Sequence, residues 1–427
     1  MMPPTRLRRI TVDLTPVQPG GDNGGAKLVA QSLVRELAKL APTTEFVLFT
    51  TTTSHVDLAG LDAGNVRREC VDADLGAVPA APGEAGLLGA ARSGARVLVD
   101  TLVPAGERTR VKDAVWTLVK RQRRSQVSSA LPADVHFCPF TAPFFFDPGV
   151  PLVALVHDLQ FVEYPQFFDE QQRRNRQRDF VEACRRAERV VCVSEFVRQT
   201  VLANSQLPPD HVDTIHSTVV HATHADPDVE VIGRKVLASA GISANRFLLY
   251  PANVWPHKNH RRLVDGFAAY LHRVPTADLA LLCTGAPGAA ADEITGIGNA
   301  LLPAGRFGFA GFLPEREFAA ALRSCRAVIY PSLYEGFGLP LLEAMACDRP
   351  VLCSNTTSLP EVAGDAAILF DPLDVSAVAT AIERLETEPE LESQLVSRGR
   401  ERVVQFGSAR DMAARYLDVF ERAVYAR

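Results

Sequence analysis

Two glutamates on either side of a glycine turn hold the densest chemistry in this 427-residue chain. They lie in AVIYPSLYEGFGLPLLEAMACDRP, residues 327–350. An apolar, β-rich run ends at Tyr334, and Glu335 follows. Then come Gly336, Phe337, Gly338, Leu339 and Pro340, and Glu343 closes the set. Glycines let a backbone approach a ligand closely. Pro340 suits a helix start, where its missing N–H has no partner to lose. The free N–H groups and partial positive charge of that helix start favour phosphate. A carboxylate only accepts, so it can take two hydroxyls at once. Phosphate donors and diol acceptors in one turn suit a nucleotide sugar. The plain alternative is an ordinary strand-to-helix turn with two solvent-facing glutamates.

Three further positions could contribute. His157 ends the apolar run VALV and is followed by Asp158, at the carboxyl end of an expected strand where open α/β sheets bind ligands. Packing for the histidine and turn capping for Asp158 are the structural alternatives. Lys258 sits in PANVWPHKNHRRL just before an expected helix, and an ammonium there can clamp a diphosphate. Near the amino end, PGGDNGGAK (19–27) joins an expected strand, Ile10 to Leu14, to an expected helix, Leu28 to Leu40. Its glycines, at 20, 21, 24 and 25, fit neither G-x-G-x-x-G nor a P-loop.

The 327–350 segment resembles the retaining glycosyltransferases of family four, the group 1 glycosyl transferases, through its Glu, seven residues, Glu spacing. The YPS before it and the P-E-V-A-G of Pro360 to Gly364 are similar to that family as well. The resemblance is strongest over 247–372, fair over 8–40 and 152–200, and thin over 54–134. It implies the GT-B architecture, two doubly wound Rossmann-like α/β domains facing across a cleft. It also implies roles. Glu335 contacts the donor sugar, and Glu343 takes the ribose hydroxyls. Gly24 and Gly25 lie against the donor phosphates, His157 sits beside the reaction centre, and Lys258 holds the diphosphate. Gly336, Phe337, Gly338 and Leu339 form the donor turn. One departure stands out. Many relatives carry Arg where this chain has Asn253, which leaves open a weaker clamp or a substitute from Arg261 or Arg262. The PHKN turn and the glycine loop resemble those of bacterial mannosyl- and related hexosyltransferases that build surface polysaccharide, so GDP-mannose is the expected donor and a glycan or lipid-linked saccharide the expected acceptor. No cofactor and no metal are expected.

Composition agrees with a globular chain of two domains: 47% hydrophobic, 22% charged, net charge −5. Up to residue 216 there are 25 basic and 25 acidic residues, and beyond it 20 and 25. Neither half is a cationic body, which argues against nucleic acid. Eight cysteines without a C-x-x-C pair read as buried thiols of a cytoplasmic protein. His216, His221 and His224 lack the spacing of a zinc site. Arg108 to Arg124 is an expected helix with seven basic residues and Trp116, able to lie on an anionic membrane face or simply in water. No apolar run reaches spanning length, and the start lacks a signal-peptide core.

Strand and helix signals alternate throughout, the pattern of parallel sheets covered on both faces. The expected division is a first domain over 1–216, a hinge over 217–229 and a nucleotide-sugar domain over 230–405. A terminal helix within 406–427 is expected to return to the first domain. The competing functions are a non-catalytic nucleotide-sugar sensor or scaffold, and a glucan synthase-like enzyme.

Overall fold

The computed structural model describes residues 6–18, 24–71, 132–141, 146–219, 227–244 and 246–425. The expected basic helix 108–124 and His221 and His224 lie outside them.

Short apolar runs build two all-parallel sheets. The first holds β1 (Arg9–Asp13), β2 (Glu45–Thr50), β3 (Val66–Cys70), β4 (Val135–Cys138), β5 (Leu152–Val156), β6 (Arg189–Cys192) and β7 (Val212–Thr214). Its order is β3-β2-β1-β4-β5-β6-β7. The second holds β8 (Phe247–Pro251), β9 (Ala280–Thr284), β10 (Phe307–Phe309), β11 (Ala327–Tyr330), β12 (Val351–Ser354) and β13 (Ala367–Phe370). Its order is β10-β9-β8-β11-β12-β13. The central strands β5, β8, β11 and β12 are buried almost throughout, as helices on both faces require.

Each order reverses once, between β1 and β4 and between β8 and β11. Loops leaving the carboxyl ends at such a reversal diverge and open a crevice. The loops after β8 and β11 carry Lys258 and Glu335. The loop after β5 carries His157, and the helix Gly24–Leu40 follows β1. Topology alone therefore brings the chemistry-bearing residues to the sheet ends.

The closing helix Ala409–Tyr425 buries Met412, Tyr416, Leu417 and Phe420. The Tyr416 and Phe420 rings stand 5.4 and 5.2 Å from Phe137 in β4. Arg422 pairs with Asp213 at 2.9 Å. The last helix thus lies on the first sheet. No helix among the described residues is long and apolar enough to cross a membrane.

Three of the elements that the sequence does not announce are instructive. β3 is an edge strand whose VRREC carries charge instead of an apolar run. Arg67 pairs with Glu45 at 2.7 Å and Arg68 with Asp62 at 2.7 Å. The helix Leu391–Phe406 fully buries only Leu395 and Gly399, so its sequence shows little periodicity. The helix Val229–Ser239 starts at the last residue of the expected hinge. One expected bound also moves: the first helix begins at Gly24, not Leu28. The helix Glu170–Arg186 starts behind an Asp169–Gln172 capping box.

Buried histidines make the fold sensitive to acid. His136 in β4 accepts the Asp147 N–H on Nε2 at 2.9 Å and meets the Thr11 hydroxyl on Nδ1. Burial, partly offset by Asp147, lowers its pKa to about 4. Burial likewise brings His257 and His260 to about 4. These folded values lie below the unfolded one, so the unfolded chain binds more protons between about pH 6.5 and 4. Stability is then complete above that window and falls as pH drops through it, by up to about 1.4 kcal/mol per pH unit for each histidine. Denaturant midpoints measured from pH 7 to 5 are expected to fall. A flat profile would exclude this account.

Candidate active site

The site is built from three loops and two helix starts. After β8 the chain makes a short turn, Pro256–Lys258, before the helix His260–Arg273. Asn259 takes the left-handed conformation there, with φ of 60°. Its amide donates to the carbonyls of Pro331 and Pro372 at 3.1 and 2.8 Å. The Tyr250 hydroxyl donates to the Lys258 carbonyl at 2.5 Å. The lysine backbone is therefore fixed from three sides. Its Nζ donates to the Tyr330 hydroxyl at 3.2 Å and pairs with Glu335 Oε1 at 2.6 Å. Both side chains of the pair are nearly buried, 11% and 12% exposed. Burial first, then neighbouring carboxylates, raises the Tyr330 phenol well above its ordinary value and keeps it neutral.

The glutamate turn is held as firmly. The Glu335 N–H donates to Thr357 Oγ1 at 3.1 Å. The Ser358 hydroxyl donates to the carbonyls of Glu335 and Phe337 at 2.9 and 3.0 Å. Gly338 adopts φ of 99°, a conformation open to glycine, and caps the helix Leu339–Ala346. Pro340 is the second residue of that helix, within the turn whose N–H groups have no helical partner. Glu343 lies one turn further in, 3% exposed.

The first domain closes the site from the other side. His157 follows β5, and its carbonyl lies against Gly336 so tightly that a Cβ there would stand 1.9 Å from it. The ring donates from Nε2 to the Pro139 carbonyl at 2.7 Å, which leaves Nδ1 as an acceptor. Burial, against the Pro139 bond and the charge of Asp158, lowers the pKa of His157. The imidazole is thus neutral near pH 7. Asp158 accepts the Gln160 N–H at 3.1 Å, a turn bond. Gly24 opens the first helix with φ of 51°, and Gly25 faces Leu339, 3.6 Å from a built Cβ to its Cδ2. Two helix starts, Gly24 and Leu339, therefore meet across the cleft, and the free N–H groups of helix starts in general favour anions.

The Asn253 side chain bridges to the next loop, its Oδ1 accepting the Ala286 N–H at 2.7 Å. Neither arginine raised as a substitute bonds to the Lys258–Glu335 pair. Arg261 pairs with Asp265 at 3.1 Å, and Arg262 donates to Asn259 Oδ1 at 3.1 Å. His216 donates to Glu361 at 2.7 Å, and its ring lies tilted to Phe337 at 6.0 Å and edge-on to Phe406 at 5.1 Å. Among the described residues no three His, Cys, Asp or Glu side chains converge as metal ligands. The sequence reading missed Tyr330, Thr357, Ser358 and Glu361. Each acts through one hydroxyl or carboxylate, and no spacing rule reveals such a bond.

Comparison with known proteins adds to this geometry. Residues 23–222 match the description Glycosyltransferase Family 4, and residues 238–402 match Glycosyl transferases group 1. The O-antigen chain mannosyltransferase B of Escherichia coli is 30% identical over 230 residues, covering 54% of this chain and 60% of that protein. The MMP alpha-(1->4)-mannosyltransferase of Mycolicibacterium hassiacum is 39% identical over 115 residues, 26% of this chain and 28% of that one. The chain thus spans less than two thirds of these relatives' lengths. The crystal structure of Anabaena Alr3699/HepE in complex with UDP and glucose superposes with a TM-score of 0.66 at 15% identity, covering 96% of this chain and 98% of that one. Sucrose-phosphate synthase of Thermosynechococcus elongatus gives 0.67 at 18% identity, covering 98% and 100%. The fold shared with these is GT-B.

Proposed function

The chain belongs to the group 1, family-four glycosyltransferases, and on that premise we propose that it transfers a hexose from a nucleotide sugar to a glycan or lipid-linked acceptor, with retention of configuration and without a metal. The observation that carries this is the near-buried Lys258–Glu335 pair on the glycine turn, facing His157 across the cleft.

The nucleotide diphosphate would sit between Lys258 and the helix start at Leu339. Negative charge grows on it as the glycosidic bond breaks, so a fixed ammonium and free N–H groups lower the barrier there. Glu335, buried beside that ammonium, takes sugar hydroxyls and orients the ring. Glu343 lies one helical turn beyond, where the ribose hydroxyls would lie. The attacking hydroxyl enters on the face the diphosphate leaves, and a departing phosphate oxygen takes its proton. Closure of the two domains excludes water and limits hydrolysis.

Mannose is the favoured sugar and GDP-mannose the favoured donor, because several similar proteins bear mannosyltransferase names. The O-antigen relative supports an acceptor in surface polysaccharide. We place the protein in the cytoplasm, with residues 108–124 able to touch the membrane face. Asn253 in place of an arginine favours one competing reading, a nucleotide-sugar sensor without catalysis.

A thermal-shift series with GDP-mannose, UDP-glucose and the free nucleotides separates donors. A ligand at 100 times its Kd adds about 2.7 kcal/mol to stability. GDP-mannose is expected to raise the midpoint most and to release GDP slowly when no acceptor is added. Binding without any GDP release, with or without acceptor, would favour the sensor.

A further inference from the structure

We propose that Glu361 and Ser194 are positioning residues that latch the cleft shut and so set the geometry of the glycine turn. The proposal rests on the glycosyl-transfer reading above. Glu361 belongs to the helix Leu359–Ala363 of the second domain. Its two carboxylate oxygens receive the N–H groups of Glu195 and Phe196, at 2.7 and 2.9 Å. Those are the first two residues of the helix Glu195–Ala203 in the first domain. A carboxylate at a helix start is stabilised by the unpaired N–H groups and the helix dipole. His216, at the end of the first domain, adds a third bond at 2.7 Å. Burial would raise the Glu361 pKa, yet the bonds from His216, Glu195 and Phe196 outweigh it and hold the carboxyl below its ordinary value.

Ser194 caps the same helix. Its Oγ accepts the Val197 N–H at 3.1 Å and donates to the Gly336 carbonyl at 2.6 Å. One hydroxyl therefore joins the first-domain helix to the turn that carries Glu335. The Arg402 guanidinium grips the Glu361 carbonyl and donates to Val362 O at 2.9 Å, which fixes the carboxylate's own backbone. Opening the cleft must pull Glu361 off the helix start and Ser194 off Gly336 together. Neither residue needs to touch substrate. They act through the position of the turn, whose misplacement by about 1 Å can cost about 100-fold in rate.

The test uses the full chain with Glu361→Ala, Glu361→Gln, Ser194→Ala and the double variant Glu361→Ala/Ser194→Ala. Small-angle scattering is expected to give a larger radius of gyration for Glu361→Ala than for the parent. With donor and acceptor, kcat is expected to drop at least about tenfold in each alanine variant, while the Kd for nucleoside diphosphate stays within about twofold of the parent. Glu361→Gln keeps one acceptor oxygen and is expected to recover part of the loss. The double variant is expected to be little worse than the poorer single, since both act on one event. An unchanged radius of gyration in Glu361→Ala overturns the latch. So does a lowered melting temperature with parental kcat, which would make Glu361 a helix cap and nothing more. If the parent turns over no nucleotide sugar, the transfer reading fails, and the scattering comparison still decides the latch.

Discussion

Lys258→Ala is expected to reduce nucleoside diphosphate release by about 10²–10³-fold, the usual effect of removing one fixed donor from a developing oxyanion. The ammonium has little freedom to be replaced. Its backbone is tied by Tyr250 and its neighbour Asn259, and its head by Tyr330 and Glu335. Removing it also leaves the Glu335 carboxylate, 12% exposed, without its counter-charge. Breaking such a pair from one side costs about 3–5 kcal/mol when both partners are fully buried, so the melting temperature should drop as well. The two effects can be separated. In Lys258→Met/Glu335→Leu both charges go, and stability should recover toward the parent because no buried charge is orphaned. Turnover should not recover. A double variant that regains stability and activity together would place the chemistry elsewhere. Glu335→Gln completes the set: it keeps the shape of the side chain, leaves the lysine unopposed, and should lose turnover while nucleotide affinity changes little.

The fold class and the turn around Glu335 were legible because their signals are local. Apolar runs of four to six residues ending at glycine, histidine or proline mark strand ends, and ligand loops in parallel sheets leave from strand ends. The pair Glu335 and Glu343 rests on spacing along eight residues, which a sequence displays directly. What stayed hidden depends on partners far along the chain. Lys258 was read as a phosphate clamp, but its bond to Glu335 spans 77 positions. Ser194 caps its helix locally, yet its second bond reaches Gly336. Asn253 posed a question about a missing arginine that local spacing could not answer. Arg261 turned out to pair within its own helix, and Arg262 with Asn259 at the start of that helix. Edge strand β3 was missed because charged side chains on its half-exposed face replace the apolar alternation that marks buried strands.

Gly336→Ala should abolish most transfer while leaving each domain folded. Space alone decides this. A Cβ at this position would stand 1.9 Å from the His157 carbonyl oxygen and 3.0 Å from its carbon. Those are backbone atoms at the end of β5, so no side chain can swing aside to make room. The turn must retreat from the first domain, and Ser194 Oγ must lose the Gly336 carbonyl with it. Retreat by about 1 Å is enough to cost about 100-fold in rate when reacting groups are held by opposite walls of a cleft. The neighbouring glycines provide the contrast. A Cβ on Gly25 meets only Leu339 Cδ2 at 3.6 Å, an ordinary contact, so Gly25→Ala leaves the two walls free to meet. Gly24 has open space, but its φ of 51° makes alanine strained there, at a cost of about 1 kcal/mol. Turnover and nucleotide affinity measured side by side should therefore rank Gly336→Ala far below the other two in kcat, with the Kd for nucleoside diphosphate little changed. Wild-type turnover in Gly336→Ala would mean that the two walls do not meet at this turn during catalysis, and the facing arrangement of His157 and Glu335 would lose its mechanistic meaning.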